Sequence, residues 1–300
     1  MDEPVLLTGA GGRVGQAILR GLGDEYDWRL LDREPLPAAK VPDGVTDADR
    51  YVADITDERA VREAVADVGA VIHLAGDPRK TAPWDSVLRN NIDGTQVVMR
   101  AAAEAGVEKF AFASSNHAVG GYETAERTPD LYRAEDDYRL DGSELPRPGN
   151  LYGVSKAAGE SLGRFYHDEF DMSVVCVRVG NLTKDHPPRE YERGQAMWLS
   201  HRDCAHLFDR CLRAAYGYEI VYGISDNDRR YYSIERAREA LGYDPADNSA
   251  DYTFEGEPKP DRDAEADGDR YAPESFAPDA DRPANESPAD PNFPADPDDA

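Results

Sequence analysis

Tyr152 and Lys156 stand four residues apart in the run Tyr152-Gly153-Val154-Ser155-Lys156. On a helix, that spacing puts both side chains on one face. An ammonium group beside a phenol favours the phenolate and lowers the tyrosine pKa. Such a tyrosine is a general base for an alcohol, with a serine hydroxyl to hold the substrate oxygen. A solvated surface Tyr–Lys pair has the same spacing, so the pair alone leaves both readings open.

A second chemical group lies near the N-terminus. In Thr8-Gly9-Ala10-Gly11-Gly12-Arg13-Val14-Gly15, three glycines recur at intervals of three: Gly9, Gly12 and Gly15. Val5-Leu6-Leu7 before it reads as a strand, and Gln16–Leu22 after it reads as a helix. Strand, glycine turn and helix N-terminus together form an anion site, where bare N–H groups and the positive helix end meet a pyrophosphate. Gly9, Gly12, Arg13 and Val14 are the expected contacts. A dinucleotide is the better reading of the run in this context. Asp32 ends the next strand, Trp28-Arg29-Leu30-Leu31, 17 residues beyond Gly15. A carboxylate there accepts from two ribose hydroxyls and repels a 2′-phosphate, which favours NAD over NADP. Arg33 complicates this, because an arginine next door suits a 2′-phosphate. A solvated Asp–Arg pair in a turn would also look the same.

The elements that must position these groups alternate. Strands are expected at 4–9, 28–32, 49–53, 70–74, 108–114 and 173–179, with a short one at 219–222. Helices are expected at 13–22, 57–67, 84–105, 150–170, about 202–215 and 234–241. Alternation implies a doubly wound parallel sheet covered by helices on both faces, an α/β fold. Ligands in such sheets lie outside the carboxyl ends of the strands. Those ends carry Asp54-Ile55, then His73-Leu74-Ala75-Gly76, then Ser114-Ser115-Asn116-His117. Asp54 and Ile55 are placed to meet an adenine edge. Leu74, Ala75 and Gly76 let a cofactor lie close.

Composition narrows the class. The 300 residues carry 60 acids against 34 bases, a net charge of −26, and six of the bases are lysines. An acidic, lysine-poor globular protein suits a high-salt cytoplasm, because in molar salt the Debye length is about 3 Å and dense like charge costs little. The charge argues against nucleic acid as a partner, since that needs a basic footprint. No apolar run reaches the roughly 18 residues of a membrane span, and the start lacks a signal-peptide pattern. Cys176, Cys204 and Cys211 are odd in number and fit no metal spacing, so they read as reduced packing residues. Residues 257–300 hold 14 acids, 4 bases and 9 prolines, and read as a disordered acidic tail. Residues 1–256 then form the dinucleotide-binding domain, with a small substrate-binding portion at about 180–245.

Taken in order, TGAGGRVG, Asp32, Asp54-Ile55, HLAG, NNIDGT at 90–95, SSNH and YGVSK resemble the extended short-chain dehydrogenases/reductases over about residues 4–245. FASSNHAVG at 112–120, LYGVSKAAGE at 151–160, WLSHRD at 198–203 and YGISDND at 222–228 resemble the uronate dehydrogenase branch. Within that branch, the chain is similar to members from salt-loving archaea that oxidise glucose 6-phosphate. The resemblance implies a Rossmann-type fold, NAD as cofactor and no metal. It implies that Tyr152 is the base, Lys156 its activator and ribose ligand, and Ser115 the third member of the set, with Asn91 supporting the proton path. Asn116 and His117 would hold sugar hydroxyls, and Arg193 would meet the substrate anion. Asn181 stands where the branch typically has serine, which puts uronate specificity in doubt. A homo-oligomer is also implied, through the Tyr–Lys helix and the helix before it.

The implied reaction is oxidation at the anomeric carbon of a sugar bearing an anion at carbon six, glucose 6-phosphate ahead of a uronate. A phosphate dianion uses several donors, whereas a carboxylate suits one bidentate arginine. Lys184, His186, Arg189 and Arg193 are the candidates, although a mixed-charge exposed loop would read alike for Lys184 and Arg189. Arg79-Lys80 is a further basic pair near the expected site mouth, or a solvated one. A sugar-nucleotide epimerase shares the Ser–Tyr–Lys set but usually needs a larger C-terminal domain. An NAD-sensing protein without catalysis need not keep that set.

Overall fold

The computed structural model describes residues 3–123, 139–183, 187–188, 192–228 and 230–252. Lys184, His186, Arg189 and the tail at 257–300 lie outside the described residues.

Seven parallel strands form the central sheet: β1 (Val5–Thr8), β2 (Trp28–Asp32), β3 (Arg50–Val52), β4 (Ala70–His73), β5 (Lys109–Ser115), β6 (Ser173–Val179) and β9 (Tyr218–Gly223). Their order is β3-β2-β1-β4-β5-β6-β9, so the winding reverses between β1 and β4. A separate two-stranded parallel piece pairs β7 (Asn181–Leu182) with β8 (Trp198–Leu199).

The sheet is apolar on both faces because helices cover both. Val5, Leu7, Leu30, Ile72, Val175 and Val221 pack on one side with the helices Arg13–Leu22 and His201–Arg213. Leu6, Leu31, Val71, Phe110, Phe112 and Val174 face the helices Glu58–Val65, Gly94–Ala105 and Leu151–Phe170. Alternate residues of one strand therefore enter different cores, as the period-two pleat requires. The three cysteines are free and buried, as packing residues should be. Among the described residues, no helix is long and apolar enough to cross a membrane.

The expected helix at 84–105 has one internal difference. Residues Val87–Asp93 adopt a π-helical turn between Trp84–Ser86 and Gly94–Ala105. The wider turn carries Asn91 inward, where its side chain is buried. The expected helix at 57–67 is shorter, Glu58–Val65, with Asp57 capping it through Arg59 and Ala60 N–H groups.

Candidate active site

Gly9 leaves β1 with φ of +70°, and a Cβ there would stand 2.8 Å from the Ala75 nitrogen. Only glycine lets the ends of β1 and β4 approach so closely. Gly12 begins the helix Arg13–Leu22 without a side-chain cap, so that N-terminus is left for an anion. Asp32 Oδ2 accepts from Gly11 N–H at 2.8 Å, which fixes the carboxylate at the rim of the glycine loop. Arg33 is exposed, and Arg13 Nη1 donates to Leu182 O at 2.8 Å. Asp54 is held by Thr56 through its N–H (2.9 Å) and hydroxyl (2.8 Å), and Ile55 is buried beside it. A bare helix start and a carboxylate at the end of β2, both at the winding reversal between β1 and β4, fit a dinucleotide.

Thr8 ends β1 and ties it to β4 and the loop that follows. Leu74 and Ala75 N–H groups donate to Thr8 Oγ1, so the Thr8 hydroxyl donates to His73 Nδ1 at 2.7 Å. His73 Nε2 then carries the proton and donates to Thr95 Oγ1 at 3.1 Å. Burial, with the Lys156 charge nearby, pushes the His73 imidazole down to about 3. His117 falls to about 4, from burial first and the Arg193 charge second. Histidines of the unfolded chain titrate near 6.5. Below that pH the unfolded chain binds more protons than the folded one, so stability falls as pH drops from about 6.5 toward 4. Melting temperature followed from pH 7.5 to 4.5 should decline accordingly, with a shallower decline in His73→Gln. Identical slopes in parent and variant would contradict this.

The helix Leu151–Phe170 brings in the Tyr–Lys pair. Asn150 caps it by accepting from Gly153 N–H at 2.8 Å. A Cβ on Gly159 would fall 2.3 Å from Phe112 Cζ, so glycine lets this helix sit directly on β5. Lys156 is consequently buried, donates to Ala113 O at 2.7 Å, and lies 4.9 Å above the Phe112 ring and 5.4 Å from the Tyr152 ring centroid. Ser115 Oγ donates to Asn116 Oδ1 at 3.3 Å and accepts from His117 N–H at 3.2 Å. The His117 and Tyr152 rings meet edge to face at 5.8 Å.

The four-residue spacing predicts a lysine that lowers the tyrosine pKa. Here burial dominates instead and pushes the Tyr152 phenol up to about 12, with Ser115 as the opposing influence. Lys156 points its ammonium at a backbone carbonyl rather than at the phenol. Burial pushes Lys156 down to about 8 against the upward pull of Glu160, which leaves it cationic at neutral pH.

The other expected residues are placed as follows. Asn91 is expected on a proton path. Its amide donates to Asp77 O and Ser155 Oγ, each at 3.0 Å, and its oxygen accepts from Asp77 N–H at 2.6 Å. It braces the loop after β4 against the Tyr–Lys helix. Asn116 is 3 % exposed, and its Nδ2 is buried without a hydrogen-bond partner, an orphan donor beside Ser115. Asn181 opens β7, where its N–H donates to Met197 O at 2.7 Å. Arg193, in the short helix Glu192–Ala196, is buried, and its Nε donates to Glu123 Oε2. Its charge and that of Lys80 both reach His117. Arg79, by contrast, is tied to Asp77 by a bond from Nε to Oδ1 at 2.9 Å.

Two acids at the site escape a reading of the sequence. Glu123 joins Arg193 from the far end of the 3-10 turn Asn116–Tyr122, 70 residues away, with no local signal. Glu160 follows Lys156 by one helical turn. It takes Arg178 bidentately, Nε to Oε1 at 2.9 Å and Nη2 to Oε2 at 3.0 Å, and accepts from Ser114 Oγ at 2.6 Å.

Residues 5–201 match the NAD dependent epimerase/dehydratase family. The chain belongs to that family. This family member is 74 % identical over 258 residues to a protein of Haloferax volcanii described as an NAD-dependent glucose-6-phosphate dehydrogenase, covering 86 % of this chain and 98 % of that one. It is 33 % identical to a uronate dehydrogenase of Pseudomonas putida, over 85 % of this chain and 89 % of that one. Among solved structures it superposes on a uronate dehydrogenase variant of Agrobacterium tumefaciens crystallised with NAD. The TM-score is 0.70 and the identity 32 %, over 82 % of this chain and 86 % of that one.

Proposed function

We propose that this chain oxidises glucose 6-phosphate at C1 with NAD and releases 6-phosphogluconolactone. The observation that carries the reading is the 74 % identity to the Haloferax volcanii enzyme across nearly that enzyme's whole length. The Ser115–Tyr152–Lys156 set is what a C1 oxidation needs.

NAD, when bound, supplies the acceptor for the hydrogen that leaves C1 with its electron pair. Tyr152 Oη takes the C1 hydroxyl proton, and Ser115 Oγ holds the same oxygen. Lys156, cationic at neutral pH, stabilises the phenolate and binds ribose hydroxyls. The Asn116 Nδ2 donor and His117 orient the sugar ring. Gly9, Gly12, Arg13 and Val14 line the pyrophosphate path, Asp54, Ile55, Leu74, Ala75 and Gly76 line the rest, and Asp32 takes the adenosine ribose. Positioning and proton transfer supply the catalysis.

Residues at about 180–245 form the substrate-binding portion, and Lys184 and Arg189 are candidate phosphate donors, Arg193 being already engaged by Glu123. The acidic surface suits molar salt in a cytoplasm, and the tail at 257–300 has no part in turnover. Leu151, Val154, Phe165 and Phe170 are exposed on the Tyr–Lys helix, and Trp84 and Leu88 are exposed on the segment that leads into the helix before it. That apolar surface supports a homo-oligomer.

The test is a substrate panel at high salt: glucose 6-phosphate, glucuronate, galacturonate and free glucose, each with NAD and NADP. Glucose 6-phosphate with NAD should give the highest kcat/KM, and a preference for glucuronate would overturn the reading. Asp32→Ala removes an acceptor for charged hydrogen bonds worth about 1.5–3 kcal/mol. NAD efficiency should fall roughly 10- to 100-fold on that basis, and the gap to NADP should narrow. Parent enzyme equally efficient with NADP would refute the Asp32 assignment.

A further inference from the structure

The proposed chemistry makes no use of Glu123, yet this carboxylate is built into the site. Its side chain is 3 % exposed, and that of its partner Arg193 is 9 % exposed. Both of its oxygens are engaged: Oε2 accepts from Arg193 Nε, and Oε1 accepts from the Tyr232 hydroxyl. Tyr232 is itself fixed, stacked on Tyr222 at 4.4 Å and packed on Tyr231 at 4.5 Å between ring centroids. Glu123 ends the 3-10 turn Asn116–Tyr122 that carries His117, and Arg193 is its ion-pair partner, so the pair borders the proposed sugar position.

A guanidinium fork matches a carboxylate in shape and charge. Here the protein supplies that carboxylate itself. We propose that Glu123 is a specificity-determining residue that occupies Arg193 as an internal carboxylate, rejecting sugars whose C6 is a carboxylate and admitting those whose anion is a C6 phosphate ester. This inference rests on the substrate reading above and deepens it.

The two anions differ in reach. In a hexuronate the charged carbon is C6 itself. In a sugar 6-phosphate the phosphorus lies two bonds beyond C6. A uronate that approaches Arg193 must bring a second carboxylate against Glu123 or displace it. Like charges in a desolvated site repel strongly. Displacement strands a buried carboxylate without its partner, which is the costly way to break such a pair. A phosphate carries its charge two bonds beyond C6, past the position that Glu123 fills, and a dianion draws on several donors rather than one guanidinium fork. The discrimination thus combines a filled attractive position with a repulsive element against the competitor.

The experiment compares kcat/KM for glucose 6-phosphate and for glucuronate, with NAD at molar salt, in the parent, Glu123→Gln and Tyr232→Phe. Glu123→Gln keeps the shape and removes the charge. The glucuronate-to-glucose-6-phosphate ratio should rise about 10- to 100-fold, the range expected when like-charge repulsion in a desolvated site is partly relieved. The gain should appear in the KM for glucuronate. Tyr232→Phe frees one carboxylate oxygen and should move the ratio in the same direction by less. If thermal melts show that Glu123→Gln does not fold, Tyr232→Phe decides. A parent that prefers glucose 6-phosphate, with a ratio unmoved in the folded variants, overturns this inference alone. A parent that prefers glucuronate overturns it together with the substrate reading.

Discussion

Tyr152→Phe should bind NAD and sugar nearly as the parent does and turn over about 10²- to 10⁴-fold more slowly, the usual cost of losing a positioned general base. The substitution removes one oxygen. The ring keeps its edge contact with His117 and its place in the first turn of the Leu151–Phe170 helix, so the fold has no reason to change. A second signature separates a lost base from a general disturbance. With the phenol pushed up to about 12 by burial, the parent's oxidation rate should climb with pH as more phenolate forms. The variant's residual rate should lose that climb. Retention of nearly full kcat, or of the same pH dependence, would show that another group takes the proton.

Arg178→Met should produce the largest loss of stability. Arg178 is fully buried in β6, and Glu160 is its bidentate partner from the Tyr–Lys helix. Its Nη1 also donates to the Tyr222 hydroxyl at 3.1 Å. Removing one member of a buried pair leaves an uncompensated charge and costs about 3–5 kcal/mol. For a domain of this size, each kcal/mol moves the melting temperature by about 2–4 °C, so a fall of roughly 6–20 °C is expected. The double variant Arg178→Met/Glu160→Gln should recover part of that loss, because Glu160 is then not stranded, while Glu144, 3.5 Å from Arg178 Nη1, still loses its partner. A double variant as unstable as the sum of the singles would mean that the pair's charges are not what matters. Because Glu160 also supports the charge on Lys156, the double variant should remain slower than the parent even where it is stable.

Much of the fold is legible in the sequence because a parallel sheet buries both faces of its strands. Ser173–Val179 stands out as a near-continuous apolar run and Trp28–Asp32 as a shorter one around Leu30-Leu31, and the observed strands have those bounds. The glycine loop and the Tyr–Lys pair are legible for another reason: each is a local motif whose spacing alone sets its geometry. Less local features escape. The β7–β8 pair is two residues long on each side and carries no periodic signal. The π-turn at Val87–Asp93 has the same apolar pattern as an ordinary helix. Glu123 meets Arg193 only through the folded chain, so neither residue foretells the other. Arg178 is the missed clue. A charge within the apolar run Val174–Val179 requires a buried partner, and Glu160 lies on the helix that covers that strand. The Tyr152 phenol shows the limit of reading charge from spacing. Four residues apart gives proximity, but the Ala113 carbonyl decides where the ammonium points.

The most direct test of the central claim follows the label from the reacting carbon. Glucose 6-phosphate deuterated at C1 is incubated with the full chain and NAD in molar salt, and the products are analysed by NMR. One reduced NAD per sugar, carrying the deuterium, together with 6-phosphogluconolactone or its hydrolysis product, is the result this account predicts. Sugar recovered with deuterium still at C1 and no net reduced cofactor would contradict it.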